Sequence, residues 1–547
     1  MAPPPFDRVT ALARLGDEHF DVLVIGGGIT GAGVALDAAS RGLRTALVER
    51  GDFASGTSSK SSKLVHGGLR YLQQREYALV YEGLAERQRL RKTAPHLVRV
   101  LPFLIPIFSR DGLINPKVAR ALGSAMWMYD LTGGLRIGKV HKRLDKAEAL
   151  AHMPTMPADR LASAYLYYDA QADDARLTLT VARTAAAHGA AVASYTSVTR
   201  LLKDARGAVT GAVVAADGDE IEVRAKAIVN ATGVWADDLR ALDEGVDPQS
   251  IRPAKGIHIT VPWQKTQNDV AVVIPVPKDK RSLFVVPWGD LAYVGTTDTD
   301  YDGPIDDPQC TPDDIAYVLR ALNASVTTGV TQGDILGTWA GLRPLVKDAT
   351  SERTADLSRR HAVRRSASGV VTVTGGKLTT YRRMAADTVD EVAKALDVHR
   401  RSSTRHVVLL GGEGFDPDRP RSGVDAHLAA RYGTEADGVA LLAARDPDLA
   451  RPLVPGLPYV RAEAVHAVRH EMARTLDDVL SRRTRARLLA RDDAGRAAED
   501  VAALIAPELG WSEAEHQRQV AKFRESLAHE RTSAALPETA LDATIGA

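Results

Sequence analysis

The chain is predicted to be an α/β protein: a Rossmann-like dinucleotide-binding domain, an α+β domain inserted into it, and an all-α domain after both. Three observations carry the prediction. A dinucleotide-binding fingerprint opens the sequence, strand-into-turn segments of similar texture return near 230 and 375, and helical periodicity replaces strand patterning beyond about 400. At 547 residues the chain is too long for one core, so two or three domains are expected.

The fingerprint is complete. Asp21-Val22-Leu23-Val24-Ile25 reads as a buried parallel strand, and Gly26-Gly27-Gly28-Ile29-Thr30-Gly31 supplies the G-x-G-x-x-G spacing that leads into a helix of small residues. Arg44-Thr45-Ala46-Leu47-Val48 reads as a second strand, closed by Glu49 and followed by Arg50. Gly26 allows the tight turn, Gly28 lets the backbone approach a pyrophosphate, and Gly31 lets helix pack on strand. The helix N-terminus then faces the phosphates, and Glu49, eighteen residues past Gly31, accepts from a ribose hydroxyl and disfavours a 2′-phosphate.

Further along, 76–92 has a helical pattern rich in Glu and Arg, and Pro95, Pro102 and Pro106 break the next stretch into extended pieces. A helix is expected over 178–188, then strands over 191–195 and 197–202. A hairpin follows, 209–215 with 220–225 around Asp217-Gly218, and then a buried strand, Ala227-Ile228-Val229-Asn230-Ala231-Thr232-Gly233. Short strands separated by prolines fill 257–300, and 371–381 again runs strand into glycine turn into helix. Nucleotide-type segments at 21–49, 227–233 and 371–381 suit a chain that wraps a cofactor as long as FAD while threading a substrate domain through it. The expected FAD-binding segments are 18–72, 165–240 and 340–395, with substrate-domain segments 73–164 and 241–339. A helical domain over 404–530 is expected behind a linker near 397–404, and 535–547 reads as a loose tail.

Composition excludes several classes. Hydrophobic content of 45% and charged content of 25% are those of a soluble globular protein, and a net charge of +1 gives no global pull toward nucleic acid. The single cysteine, Cys310, excludes an internal disulfide and a cysteine-based metal cluster, and fits a reducing cytosol. No metal site is expected. The N-terminus lacks the apolar core of a signal peptide, and no stretch approaches the ~20 apolar residues of a spanning helix.

The most informative run is Ser61-Ser62-Lys63-Leu64-Val65-His66-Gly67-Gly68-Leu69-Arg70-Tyr71-Leu72, preceded by Ser58-Ser59-Lys60. It is poor helix and poor core, yet it sets hydroxyls, cations, an imidazole and two glycines beside a bound nucleotide. It is expected to pass beneath a flavin ring and to hold an anionic alcohol against it, residues 59–63 serving the flavin and 66–71 the substrate.

This run, together with 21–49, resembles the opening of FAD-dependent glycerol-3-phosphate dehydrogenases of the respiratory, aerobic type. Asn230-Ala231-Thr232-Gly233-Val234-Trp235-Ala236, Lys255-Gly256-Ile257-His258-Ile259, Val294-Gly295-Thr296-Thr297-Asp298, Trp339-Ala340-Gly341-Leu342-Arg343-Pro344-Leu345 and Gly375-Gly376-Lys377-Leu378-Thr379-Thr380-Tyr381 match in order and approximate spacing. The resemblance covers about 20–395, and the helical part with Asp477-Asp478-Val479-Leu480-Ser481-Arg482-Arg483-Thr484 is similar to the family's C-terminal domain. It implies an FAD-binding domain of the glutathione-reductase/D-amino-acid-oxidase type. It also implies oxidation of sn-glycerol 3-phosphate at C2 to dihydroxyacetone phosphate, with electrons passed to a membrane quinone, in glycerol catabolism. The implied substrate pocket is Arg70, Tyr71, His258, Arg343 and Lys377, with a further arginine at Arg359, beside Arg360. Cofactor contacts are implied at Gly26, Gly28, Ile29, Thr30, Gly31, Glu49, Arg50, Ser59, Ser61, Ser62, Lys63, Leu64, His66, Gly67 and Gly68. Others fall at Val198, Ala231, Thr232, Gly233, Trp235, Gly376, Lys377, Leu378 and Thr379.

The chemistry asks for these residue types. A hydride leaves C2 while the C2 hydroxyl loses its proton, so the protein must supply position, a proton acceptor and stabilisation of the developing alkoxide. The phosphate dianion calls for guanidinium and lysine contacts, for which Arg70, Arg343, Arg359 and Lys377 are the candidates. His66 is the expected base because imidazole titrates near the working pH, His258 is the alternative, and Arg343 favours the alkoxide.

The segment 116–143 holds six basic residues against Asp130, a net +5, with Val118, Leu122, Met126 and Tyr129 on one helical face and Trp127 nearby. It reads either as an interfacial element on the inner face of the cell membrane, making the protein cytoplasmic and peripherally attached, or as a solvated helix packed on the body. Arg482, Arg483, Arg485, Arg487 and Arg491 form a second cationic run, with acids close by and no aromatic interleaving, so no nucleic-acid partner is expected. A homodimer is left open. The alternative functions are a glycerol-3-phosphate oxidase that uses O2 and makes H2O2, a flavin-binding scaffold without turnover, and an amine or amino-acid oxidase, which four cations suit less well.

Overall fold

The computed structural model describes residues 6–68, 76–110, 126–127, 129–130, 138–279, 281–347, 360–539 and 541. The first strand, His19–Ile25, and the second, Thr45–Val48, run parallel side by side, as the fingerprint predicts. Val22, Leu23 and Val24 are fully buried because helices cover this sheet. The helix Ile29–Ser40 lies between the sheet and its neighbours, and an added Cβ on Gly33 would come within 2.7 Å of the Tyr381 ring, so glycine lets the helices Ile29–Ser40 and Tyr381–Ala395 touch.

Across the sheet the order is Ala362–Arg365, Val371–Thr374, Asp219–Asn230, His19–Ile25, Thr45–Val48 and Ala191–Ala193. The hairpin and the buried strand expected separately are one element. Asp219–Asn230 pairs antiparallel with Val209–Ala216 up to Arg224 and parallel with His19–Ile25 from Arg224 onward. Asp217 and Gly218 both have positive φ, as the two-residue turn between such strands requires.

The second sheet is mixed and largely antiparallel. Arg99–Phe108 is a single ten-residue strand paired along Leu161–Gln171, not the broken pieces expected from its prolines. Pro102 and Pro106 are four apart, so both missing N–H groups fall on one edge and the other edge keeps its ladder. Ile251–Pro262 pairs along Gly337–Val346 through ten positions. That long ladder places 337–346 in this sheet, and Leu161–Gln171 belongs to it too, so the segment boundaries expected at 340 and 165 both cut through strands of the second sheet.

The helical part follows from Gly423–Tyr432 to Glu513–Ser533. It is not detached behind a linker: Leu291 of the second sheet and Leu336, just before the strand Gly337–Val346, enter the same core as Leu476, Leu480, Val501, Ile505 and Phe523. The connection at 397–404 is pinned to the helix Ile29–Ser40 and its C-cap, with Arg400 donating to the Arg41 carbonyl at 2.9 Å and Thr404 to Asp37 at 3.0 Å. The tail also departs from expectation. Leu536 and Leu541 are buried, and the Thr539 and Leu541 amides donate to Asp492 (2.8 Å) and Asp493 (2.9 Å), which ties this stretch down. Among the described residues, no helix is long and apolar enough to cross a membrane.

Candidate functional site

A cavity of about 760 Å³ opens at the carboxyl ends of the parallel strands, where Gly26, Gly28, Ile29, Thr30, Glu49, Arg50, Ala231, Thr232, Gly233 and Trp235 come together. Its far wall is Val198 on one side and Gly376, Lys377 and Leu378 on the other. The backbone is built for close approach. Gly26 has φ +109°, and a Cβ there would sit 2.6 Å from the Ala231 carbonyl oxygen. A Cβ on Gly31 would lie 1.8 Å from the Gly26 carbonyl oxygen, so Gly31 packs the helix on the turn without itself lining the cavity. At Gly376 (φ +80°) the Met384 sulfur fills the space, 2.3 Å from where a Cβ would be.

The helix Ile29–Ser40 starts at Gly28 with no side-chain cap of its own. Its first amide, Ile29 N, donates to Ser58 Oγ at 2.9 Å, so Ser58 stands where a phosphate meets the helix N-terminus. Ser58 lies three residues before the informative run and is not among the expected contacts. Glu49 accepts from the Gly27 and Gly51 amides at 2.6 and 2.8 Å. Burial raises its pKa against those two bonds, and lone pairs remain for a ribose hydroxyl. At the rim, the Arg50 guanidinium lies 4.5 Å from the Trp235 ring centroid, and both side chains bond Asp306, Trp235 Nε1 at 2.8 Å. A volume of this size, lined by glycine backbone, a helix N-terminus and a buried acid, fits a dinucleotide such as FAD.

The loop beyond Ser58 is held by several buried side chains. Lys63 does not aim at the cavity: it is buried, paired with Asp174 Oδ1 at 3.0 Å, donates to the Ser59 carbonyl at 3.1 Å and lies 4.8 Å from the Trp339 ring centroid. Burial and the neighbouring Arg485 push its pKa down to about 8. Ser61 gives its amide and hydroxyl to Asp174 (2.9 and 2.7 Å), and the Ser59 hydroxyl turns back to Gly56. These side chains hold the loop together. Leu64 is a core residue of the second sheet. Gly67 packs against the helix Tyr77–Thr93, where a Cβ would strike Leu84 at 2.6 Å, and Gly68 supplies a positive φ of 79°. The His66 amide donates to Thr379 Oγ1 at 3.1 Å, joining the loop to the third nucleotide segment.

Register puts the remaining candidates on one face of the second sheet. His258 lies opposite Trp339 and Gly295, Gly256 opposite Gly341, and Ala254 opposite Arg343. Phe284, opposite Gly295, meets the His66 ring edge-on at 6.4 Å. Three glycines make this face flat. A Cβ on Gly256 would strike Thr296 Oγ1 (2.5 Å) and the Arg343 guanidinium (2.6 Å), on Gly295 the His258 ring (2.3 Å), and on Gly341 the Lys60 carbonyl oxygen (2.5 Å). Arg343 bonds Asp298 (3.1 Å), Thr296 Oγ1 and the Thr297 carbonyl (3.2 Å each). His258 stacks on Trp339 at 4.7 Å and meets Ser62 Oγ through Nε2 at 2.9 Å. Its Nδ1 is buried with no hydrogen-bond partner among the described residues. Burial, with Lys63 and Arg343 nearby, holds its pKa well below that of an ordinary imidazole.

Arg70, Tyr71 and Arg359 lie outside the described residues, as does most of 116–143. Within that segment Met126 and Tyr129 are buried, Trp127 is 56% exposed, and 142–144 form a strand on the second sheet, so the helical reading does not extend to its end. Sequence reasoning also missed Asp174, Asp169 and Asp52. Asp169 bonds Arg87, Tyr129 and the Gly67 amide, and so steadies the turn after His66. In the second cationic run Arg483, Arg485 and Arg491 are buried and every one of the five arginines is ion-paired.

Comparisons with known proteins agree with this construction. The family model described as FAD dependent oxidoreductase matches residues 21–382, and that described as the C-terminal domain of alpha-glycerophosphate oxidase matches 402–516. The chain is 41% identical to glycerol-3-phosphate dehydrogenase 2 of Mycobacterium tuberculosis over 553 residues, covering 98% of this chain and 92% of that protein. It is 39% identical to the mitochondrial glycerol-3-phosphate dehydrogenase of Bos taurus over 557 residues, covering 96% of this chain and 76% of that one. The X-ray structure of the glycerol-3-phosphate dehydrogenase from Bacillus halodurans, complexed with FAD, superposes with a TM-score of 0.76 at 31% identity, covering 97% of this chain and 98% of that one.

Proposed function

Because the chain belongs to the FAD-dependent oxidoreductases, among the glycerol-3-phosphate dehydrogenases, we propose that it oxidises sn-glycerol 3-phosphate at C2 to dihydroxyacetone phosphate and delivers the electrons to a membrane quinone. FAD, when bound, supplies the hydride acceptor. The observation that carries the reading is the face shared by His258, Trp339 and Arg343, crossed by the loop that bears His66 and adjoining a cavity lined by Lys377 and Pro344.

The chain's own residues divide the work. Arg343 and Lys377, with Arg70, Tyr71 and Arg359, hold the phosphate and the C2 oxygen, and two-pronged guanidinium contact fixes the orientation. A ring nitrogen of His66 takes the C2 hydroxyl proton. His258 stays neutral beside Lys63 and Arg343 and shapes the pocket through Trp339 and Ser62. Delivery to a quinone places the protein on the inner face of the cell membrane, which the exposed Tyr77, Tyr81, Trp127 and Val140 support.

The test is anaerobic mixing of the holoenzyme with sn-glycerol 3-phosphate, glycerol and a panel of phosphorylated polyols, followed by flavin absorbance. Bleaching by glycerol 3-phosphate in preference to unphosphorylated glycerol is expected, as is reoxidation by a quinone analogue well ahead of peroxide release. No bleaching would make the protein a non-turnover flavin binder, and peroxide release as fast as quinone reduction would make it an oxidase.

A further inference from the structure

Two arginine contacts from the helical domain fall on the two ends of one stretch of the cavity wall. Ser55, Gly56, Thr57 and Ser58 line the cavity in succession. Just before them, buried Asp52 is held two-pronged by Arg483, Nη1 to Oδ2 and Nη2 to Oδ1 at 2.7 Å each, and by Arg482 Nε at 2.5 Å. Just after them, the Ser59 carbonyl accepts from Arg485 Nη2 at 2.5 Å. The same Nη2 reaches Asp174 Oδ1 at 2.8 Å, the oxygen that also takes Lys63, while Asp174 Oδ2 takes Ser61. The partners lie more than 300 residues apart in sequence, and Asp52, Asp174, Arg483 and Arg485 are each 1% exposed or less. Arg482 and Arg483 stand on the π-turn Asp478–Arg483, a backbone form rare enough to need a reason.

We propose that Arg483 and Arg485 are positioning residues of the flavin site: they fasten Asp52 and Ser59, the two ends of the stretch that walls the dinucleotide cavity, so that this wall takes its shape only when the C-terminal helical domain is docked. The consequence reaches the reaction, because Ser61 and Ser62 continue from the fastened end and Ser62 meets His258. Thermodynamic linkage makes the effect reciprocal: FAD binding strengthens the docking of the helical domain by as much as docking strengthens FAD binding. This rests on the function proposed above only for the substrate readouts.

The experiment uses full-length holoenzyme carrying Arg485→Met, Arg485→Lys, Ser61→Ala or Arg469→Ala. Arg485→Lys keeps the charge but loses the second donor, Ser61→Ala loosens the Asp174 anchor without stranding a buried charge, and Arg469→Ala removes an exposed pair with Glu508 in the same domain. FAD affinity is read by flavin fluorescence, and domain docking by protease cleavage with and without FAD. Arg485→Met is expected to weaken FAD binding tenfold or more, Arg485→Lys and Ser61→Ala severalfold, with Arg469→Ala at the wild-type value. FAD is expected to protect the wild-type helical domain from cleavage and the Arg485 variants much less. Turnover of the FAD-saturated Arg485→Lys variant is expected to fall in kcat more than KM rises. Wild-type FAD affinity in Arg485→Lys and Ser61→Ala, or weakening equal to that of Arg469→Ala, would overturn the proposal. Because affinity and protection are read without substrate, a wild-type enzyme that glycerol 3-phosphate fails to reduce sinks the proposed reaction and leaves this test standing.

Discussion

His66 and His258 both face the flat side of the second sheet, and their surroundings assign them different parts. His258 is 2% exposed, stacked on Trp339 and flanked by Lys63 and Arg343, so taking up a proton there adds a third cation to a dry site. His66 is half-buried, held through its backbone by Thr379 and touched edge-on by Phe284, so its ring stands on the loop that crosses this face. His66→Ala is therefore expected to slow anaerobic flavin reduction by about 10²-fold or more, the usual contribution of a positioned general base. Flavin content should stay at the wild-type level, because the contacts that hold the loop run through Asp174 and Asp169. Stopped-flow absorbance measures the rate. Reduction at the wild-type rate would move the proton to another group.

At the scale of elements, the strands Ile251–Pro262 and Gly337–Val346 carry glycines whose replacement separates function from stability. At Gly256 an added methyl meets the far end of Arg343 and the Thr296 hydroxyl, both able to move; at Gly341 it meets the Lys60 backbone oxygen at 2.5 Å, which cannot. Gly256→Ala is expected to raise the KM for substrate severalfold, with a melting temperature close to wild type. Gly341→Ala is expected to cost about 1–3 kcal/mol of stability, the usual range for forcing a methyl into a packed site. Thermal melts and steady-state kinetics on both variants decide this, and equal behaviour of the two would refute it. These same elements show where sequence was readable. The strand, glycine turn and helix at 19–40 were legible because each contact there is local and each glycine has its own steric reason. The loop at 58–68 was legible as special, but the partners of Lys63 and Ser61 were not, since Asp174 sits 111 residues from one and 113 from the other. The segment boundary expected at 340 falls inside the strand Gly337–Val346 because parallel and antiparallel buried strands share one apolar texture, and only pairing along Ile251–Pro262 tells them apart.

Over the whole molecule, the run at 482–491 shows in sequence only as cationic with acids close by, whereas folding makes it the seam between the helical domain and the flavin-binding half, matched to Asp52, Asp173 and Asp174. A seam of buried charge has a pH signature. His96 lies near Arg176 and Arg183 against the ring of Phe415, and His466 lies near Glu471, Arg176, Arg183 and His470; burial and the nearby cations bring both pKa values down to about 4. Between pH 4 and 6.5 the unfolded chain binds protons that these native imidazoles refuse, so stability is full above the ordinary imidazole pKa and falls with acidification, by about 1 kcal/mol per histidine on going from pH 7.5 to 5.5. Glu471, Asp173 and Asp477 are held by arginines far below the usual carboxylate range and stay ionised throughout this window, while the raised carboxyls of Glu49 and Asp478 act in the opposite sense. The net slope therefore mixes several groups, but one substitution isolates a single term. His96→Gln keeps a polar group where Gly411 and Gly433 crowd the ring and removes its titration. The expected result is a smaller loss of stability between pH 7.5 and 5.5 in His96→Gln than in wild type, by about 1 kcal/mol, measured by denaturant melts at both pH values. An identical loss in the two proteins would show that His96 takes up its proton in the folded state and contributes nothing to the acid sensitivity.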